Sequence, residues 1–485
     1  MGDCVYRVRK IRINRNHELF SYCDRITALA NNLSNAVRFR QRQVITASGK
    51  SPAELSANET EVLEEFRDAG FTGTSMSYGV LDLLLKKTGN PDYHAAGLPR
   101  QTAQQAIRQC IRDMDSYFRG ISAYKKDPSA FTGRPELPGY HRKGGHCTAV
   151  VTNQDAVLYR DDAGCRLKLP LTRTRLETGF IGDEFSLREV KVIPDNGTYL
   201  VSVVLMSETE VPEPSGKHER MAAVDPGVEN LMAVTNNCGL PCLLYKGGAA
   251  KSVNRLYNKK VAALVSEQTL LTGKKYVPDT EYMKVTVKRN DSVSDLMHKT
   301  AKHFITWCVE NRIDTIVIGD NAGWKQESRM DHVRNQNFVQ LPFDSLKWMV
   351  TYLAGEKGIS VIRQEESYTS QASFPDMDSI PVYHKGDTGE HVFSGRRGPH
   401  GHRGLYVTSD GTVINSDLNG SANILRKAFP DAFAHGTMPD FGTVEVIRHP
   451  DSDRITALRD RQLAGGHTDS RSKQKRMRRK AAAQK

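Results

Sequence analysis

An α/β domain in the C-terminal half, set behind a β-rich domain that a helical lobe interrupts, is the architecture this sequence predicts. Three observations carry the expectation. From residue 217 the chain reads as antiparallel strands followed by alternating helices and strands. An alternating strand at the start is separated from further strand-like sequence by the helical period of residues 21–130. At 485 residues the chain exceeds one ordinary hydrophobic core.

The first element, Cys4 to Ile13, alternates apolar and basic residues, as a half-buried strand with one cationic face does. Ile26, Leu29, Leu33 and Val37 then recur at helical spacing, with Arg38, Arg40 and Arg42 clustered at the end. A second helix centres on Leu81 to Lys87. A third runs from about Arg100 to Lys125 with Ile107, Ile111, Met114, Phe118 and Ile121 on one stripe. The helical period stops near Arg134–Lys143, and strands follow. The clearest is a hairpin with Val190 and Val192 before Asn196-Gly197 and Tyr199, Val201 and Val203 after it. Residues 1–20 and 131–216 thus read as one β domain, with 21–130 as the inserted helical lobe.

The second half opens with strands at Met221–Asp225 and Leu231–Thr235 joined by a tight Pro-Gly turn, and a third at Cys242–Tyr245. A long helical stretch ends in Leu296–Ile305. Next come the apolar strand Thr315–Gly319, a helix near Phe343–Lys357 and a strand Gly358–Arg363. A final helix from Asp417 carries Leu418, Ala422, Leu425 and Phe429 on one face. This is the element order of RNase H-type α/β domains. Its expected bounds are 217–365 and 411–440, with an insertion at 366–410 and a basic tail, partly disordered, at 441–485.

The net charge of +12 favours a nucleic-acid partner over an acidic small molecule. The eight cysteines are scattered without a C-x-x-C pair, which suits a reducing compartment better than a disulfide framework. Cys238 and Cys242 read as thiols flanking a turn. No stretch approaches the roughly twenty apolar residues a bilayer demands. Arg7, Arg9, Lys10 and Arg12 have no apolar segment behind them. The expectation is a soluble intracellular protein without a membrane partner.

Three separated segments each deliver an acid. Asp225 ends an apolar strand before Pro-Gly, Glu365 and Glu366 follow the strand that ends at Arg363, and Asp417 begins the last helix. Acids gathered on strand ends and one helix bind a pair of hard cations, which clamp both oxygens of an in-line phosphoryl displacement. Taken singly, Asp225 is also an ordinary turn residue and Asp417 an ordinary helix-start acid. Asp320, after the strand Thr315–Gly319, competes for the middle position with both glutamates. Parallel strands open their carboxyl ends on one crevice, so a glutamate on one strand can replace one missing from its neighbour. Alternation lets only one of Glu365 and Glu366 reach the metals, and spacing does not choose between them.

Trp324 and Lys325 interleave an aromatic and a cation, as single-strand stacking sites do, though Trp324 packing on a following helix accounts for the motif equally well. Arg396, Arg397 and Arg403 flank the crevice in sequence and suit strand steering, with surface solubility as the alternative. Arg38, Arg40 and Arg42 are nucleic-acid candidates against a solvated helix face.

Asp225-Pro226-Gly227-Val228-Glu229-Asn230-Leu231 resembles the first RuvC motif of the transposon-encoded TnpB nucleases and of the related compact type V CRISPR effectors (Cas12). The resemblance continues through Asp295–Lys299, Ile318–Gln326, Asn335–Pro342, Glu365–Ser370 and Asn415–Lys427. It covers about 220 to 428, while the N-terminal half is similar only in layout, a wedge-like β domain interrupted by a helical recognition lobe. Two departures stand out. Most members carry the middle catalytic glutamate where this chain has Gly319, and the sequence is similar to a branch that supplies it from Glu-Glu-Ser-Tyr-Thr-Ser, which selects Glu366. Most members also carry a four-cysteine zinc ribbon after Thr-Ser. Here Gln371-Ala372-Ser373-Phe374 and Gly395-Arg396-Arg397-Gly398 stand in place of the cysteine pairs, so no zinc is expected, despite His384, His391, His400 and His402.

The resemblance implies a RuvC-like nuclease domain in which Asp225, Glu366 and Asp417 hold two Mg²⁺ (Mn²⁺ able to substitute). It further implies a guide RNA, a target DNA and recognition of a short flanking DNA motif. Two alternatives stay open: a guided DNA-binding repressor without cleavage, and an unguided RNase H-like nuclease or transposase.

Overall fold

The computed structural model describes residues 5–161, 164–180, 185–207, 212–320, 340–382, 391–398, 404–434 and 437–450. The chain divides into two compact units, Met1–Glu210 with Asp279–Lys284, and Val211–Pro278 with Val285–Lys485. Among the described residues no helix is long and apolar enough to cross a membrane.

In the first unit β1 (Val5–Ile13) precedes four helices: α1 (Phe20–Ala47), α2 (Ala57–Asp68), α3 (Tyr78–Lys87) and α4 (Arg100–Lys126). Strands β2 (Ala149–Thr152), β3 (Val157–Asp161), β4 (Gly164–Lys168), β5 (Arg175–Glu177), β6 (Phe185–Asp195) and β7 (Thr198–Ser207) follow. The main sheet has the order β1-β7-β6-β2, so the opening strand pairs with the one that closes the unit. Asn196 (φ 46°) and Gly197 (φ 73°) both take the left-handed conformation that a two-residue hairpin turn demands. Helix α2 has no counterpart in the sequence reading, yet its signal was present: Ser56 and Glu59 form a reciprocal capping box. On α4, Ile107 and Met114 are buried, but Phe118 is 50% exposed, so the apolar stripe leaves the core before the helix ends.

The second unit contains β8 (Met221–Asp225), β9 (Asn230–Asn236), β10 (Cys242–Lys246), α5 (Gly248–Thr272), α6 (Thr280–Glu310) from Val285 onward, β11 (Thr315–Gly319), α7 (Phe343–Gly355) and β12 (Ser360–Gln364). Short strands β13 (Arg396–Arg397), β14 (Leu405–Val407) and β15 (Val413–Asn415) lead into α8 (Ser416–Ala428), and β16 (Val444–Ile447) comes last. The six-stranded sheet runs β12-β11-β8-β9-β10-β16. Strands β8, β9 and β10 are antiparallel, whereas β11 lies parallel to β8 and β12. Strand β16 pairs parallel with β10, and Ile447 enters the core. Residues 444–447 therefore complete the sheet rather than begin a tail at 441, because the run Val-Glu-Val-Ile is too short to show a period on its own.

The pleat decides what lies where. Ala222, Val224, Ile316 and Ile318 face one core with residues of α6 and α7, whereas Met221, Ala223 and Val317 face Ile424 and Leu425 of α8. Alternation by two carries Asp225 and Gly319 to the α8 side.

Candidate metal centre

Asp225 ends β8 against the glycine face of α8. A Cβ added at Gly420 would stand 2.7 Å from Asp225 Oδ2, so only glycine permits this approach. Asp417 lies in the first turn of α8, whose N-cap Asn415 accepts hydrogen bonds from the backbone N–H groups of Asp417 (3.0 Å) and Leu418 (3.1 Å). Asn230 of β9 donates to Asp417 Oδ2 at 2.6 Å and is itself held by Lys246 Nζ at 2.7 Å. Ser421 ties the helix to the sheet by donating to the Ala223 carbonyl (2.9 Å) while accepting from Thr235 N–H (3.1 Å).

Space separates the three candidates for the middle acid. Glu366 lies two residues beyond β12, and its carboxyl fills the position that a side chain at residue 319 would take. A Cβ on Gly319 would come within 2.1 Å of Glu366 Oε1 and 2.7 Å of its Cδ. Glu365 points elsewhere: Lys427 Nζ donates to its Oε2 at 2.7 Å, and Ser367 N–H to its Oε1 at 2.5 Å. Asp320 is also engaged, by Lys347 Nζ at 2.8 Å and Arg363 Nη1 at 3.2 Å.

Electrostatics separates the acids the same way. Burial works to raise Asp320 and Glu365, but Lys347 and Arg363 on one, and Lys427 and Ser367 on the other, hold both carboxyls below their ordinary range. Burial pushes Glu366 up to about 7 against the opposing ammonium of Lys347, with Asp320 and Glu365 adding to the rise. Asp225 rises well above its ordinary value through burial, then through the charges of Glu366 and Asp417, with Arg397 and Lys347 opposing. Asp225 keeps part of its surface open to solvent, yet its carboxyl is hemmed in by protein on the α8 side.

Burial and the neighbouring carboxylates outweigh Lys347 and Arg397 at Asp225, and the acids offer only hard oxygen donors. Both features fit Mg²⁺ or Mn²⁺. Among the described residues, however, no three His, Cys, Asp or Glu side chains already stand close enough to hold one ion. Asp417 is held by Asn230 instead. Sequence reasoning missed Asn230 and the buried Lys347, whose polar atoms converge only in the fold.

The remaining predicted residues are dispersed. Arg38 pairs with Asp113 at 2.7 Å and donates to the Gly139 carbonyl at 2.6 Å, and Arg40 pairs with Glu65 at 2.6 Å. Arg42 donates to the Pro138 carbonyl at 2.9 Å and lies over the Tyr140 ring. All three guanidinium groups are thus engaged within the first unit. Arg396 and Arg397 are exposed on β13. Trp324, Lys325, Arg403, His384, His400, His402 and the basic run 471–480 lie outside the described residues.

Side-chain hydrogen bonds tie residues 373–378, 394 and 409 together. Asp376 accepts from Ser373 Oγ (2.5 Å), from Ser409 N–H (3.0 Å) and from Ser409 Oγ. Asp378 accepts from Ser373 N–H (2.8 Å) and Ser394 Oγ (2.6 Å). The two aspartates therefore link three separate stretches of the loop.

Comparison with known proteins points one way. Residues 204–325 match the family described as "Probable transposase", OrfB_IS605. A TnpB-like protein, ORF457 of Acidianus two-tailed virus, is 26% identical over 227 residues, 45% of this chain and 44% of that protein. The chain thus spans less than half the length of the curated relative it matches. Among solved structures, the Cas12f1-sgRNA-target DNA complex overlays with a TM-score of 0.45 at 11% identity, covering 84% of this chain and 82% of that one. CasPhi-2 (Cas12j) bound to crRNA overlays with a TM-score of 0.31 at 10% identity, covering 90% and 99%. Overlays this loose add nothing to the fold read from the strand order. The similarity to TnpB-type transposon proteins is carried by the sequence matches, and the family match includes the segment bearing Asp225.

Proposed function

We propose that this chain is an RNA-guided DNA endonuclease whose cutting centre is formed by Asp225, Glu366 and Asp417. One observation carries the reading: the Glu366 carboxyl occupies the space beside Gly319, on the face where Asp225 meets α8. Asp225, Glu366 and Asp417 would hold two divalent cations, which supply the charge that activates water and stabilises the leaving oxygen of a phosphodiester. Asn230 orients Asp417 through its 2.6 Å hydrogen bond, and the helix N-terminus adds positive potential beside that carboxylate. Arg397, exposed near Asp225, supplies a cation for the backbone of an incoming strand.

Guide RNA would read the target by base pairing, with a short flanking DNA motif read by protein. Such an enzyme would act on DNA of the nucleoid. Plasmid cleavage with guide RNA and Mg²⁺ tests the reading: Glu366→Ala abolishes cleavage while DNA binding persists. Full activity in Glu366→Ala, with loss in Glu365→Ala or Asp320→Ala, refutes this assignment. The open arrangement of the three acids favours one alternative, a guided repressor. It would shift the plasmid and leave it intact.

A further inference from the structure

Helix α8 contributes more than Asp417 to the centre. Asn419 and Asn423, one helical turn apart, are fully buried, and both reach the turn that follows Glu366. Asn419 Nδ2 donates to the Ala372 carbonyl at 2.8 Å, and its Oδ1 accepts from Phe374 N–H at 2.9 Å. Asn423 Nδ2 donates to the carbonyls of Thr369 (2.9 Å) and Ala372 (2.7 Å), and its Oδ1 accepts from Arg426 Nη2 at 2.9 Å. Thr369 in turn returns its N–H (3.2 Å) and its hydroxyl (2.8 Å) to the Glu366 carbonyl. Between them Tyr368 sits at φ 64°, a left-handed conformation that a non-glycine residue holds only when its surroundings over-determine it.

Resting on the reading of Glu366 as a metal ligand, we infer that Asn419 and Asn423 are positioning residues that fix the Glu366 carboxylate relative to Asp225 and Asp417. An acid at position 319 would be held by the strand ladder itself. An acid on a turn beyond β12 has no ladder, because Gln364 is the last residue paired with β11. Its position therefore depends on whatever holds the turn. Two buried amides on the helix that bears Asp417 do so, which places two of the three acids on one rigid element. Displacement of a reacting group by about 1 Å costs on the order of a hundredfold in rate.

The test measures Mn²⁺ affinity by electron paramagnetic resonance on the full chain with its guide RNA. The variants are Asn423→Ser, Asn419→Ser, Glu366→Gln and each asparagine variant combined with Glu366→Gln. Each asparagine change is expected to weaken Mn²⁺ binding about 10- to 100-fold, the usual effect of losing an outer-shell partner. Either change combined with Glu366→Gln should weaken it no further than Glu366→Gln does alone. Wild-type affinity in the asparagine variants overturns the inference, as does a loss that multiplies with that of Glu366→Gln. Amide exchange on the unmutated chain guards against variants that do not fold. Mn²⁺ should slow exchange at 366–374 and at 415–425 together, and protection of only one segment also overturns it. An unmutated chain that binds no Mn²⁺ would instead defeat the metal-centre reading on which the inference rests.

Discussion

Gly319→Ala is the most direct probe of the centre, because one methyl group lands on the proposed ligand. The added Cβ would stand 2.1 Å from Glu366 Oε1, 2.7 Å from Glu366 Cδ and 2.8 Å from Ile424 Cδ1. Carbon atoms rest at about 3.5–4.0 Å, so both the carboxyl and the isoleucine must retreat by roughly 1 Å. Overpacking of this kind costs about 1–3 kcal/mol of stability. Moving the acid by 1 Å costs roughly a hundredfold in rate. Single-turnover cleavage of a guide-matched plasmid reads the second effect, with binding of the same DNA as the control for folding. Gly319→Ala is expected to bind normally and cut about a hundred times more slowly. The reciprocal exchange sharpens the reasoning: Gly319→Glu combined with Glu366→Ala vacates the space and refills it from β11, and should recover part of the activity that Glu366→Ala loses. Wild-type cleavage by Gly319→Ala would refute the claim that the acid works from this space.

The metal-free protein should lose stability as pH rises. Glu366 titrates in the fold at about 7 rather than its ordinary 4.5, so the native state holds the extra proton between those values. Stability that is complete below about 4.5 is then lost through 7, an upper limit of roughly 3 kcal/mol at about 1.4 kcal/mol per tenfold in proton affinity. Thermal melts from pH 5.5 to 8 should fall in the wild type and fall less steeply in Glu366→Gln, where buried Asp225 still contributes in the same direction. Lys347→Met leaves Asp320 with Arg363 alone and should destabilise by about 2–3 kcal/mol, whereas adding Asp320→Asn should restore part of the loss in urea melts. Asp376→Ala breaks the bonds to Ser373 and Ser409, so limited proteolysis should cut the 373–410 loop faster, while a zinc chelator leaves the wild-type pattern unchanged. Arg40→Ala should lower the melting temperature with little change in DNA affinity, since its guanidinium is buried against Glu65. Arg397→Ala should instead weaken DNA binding and reduce its salt slope by about 1.

How much of this was legible depends on where each signal is written. The strands Met221–Asp225 and Thr315–Gly319 announced themselves as apolar runs, because central strands are covered on both faces. The hairpin at Asn196-Gly197 was written in two adjacent residues whose types admit positive φ. The position of β16 was not legible, since four residues carry no period and the pairing with β10 spans nearly the whole unit. Arg38, Arg40 and Arg42 show the opposite difficulty. Composition marks them as a cationic cluster, but Asp113 and Glu65, which engage Arg38 and Arg40, lie far along the chain. The acids themselves were visible as residues, but spacing left Glu365, Glu366 and Asp320 open and only the resemblance selected Glu366, because the cations that engage Glu365 and Asp320 meet them only in the fold.

The strand geometry also lets an acid beyond β12 reach the end of β11. Strands β11 and β12 are parallel neighbours in register, with Gly319 opposite Gln364. Adjacent strands lie about 4.8 Å apart, close to the reach of a glutamate side chain. A carboxylate two residues past Gln364 can therefore return to the point a glutamate at 319 would occupy, provided residue 319 has no side chain in the way. On the proposed reading, the missing side chain at Gly319 is what admits the Glu366 carboxyl to this point. A side chain at position 319 and the Glu366 carboxyl compete for one space, and a chain with glutamate at both would crowd two anions into it. Gly319→Glu in an otherwise unchanged chain should accordingly cut more slowly than the double exchange, and equal rates for the two would show that the positions are independent.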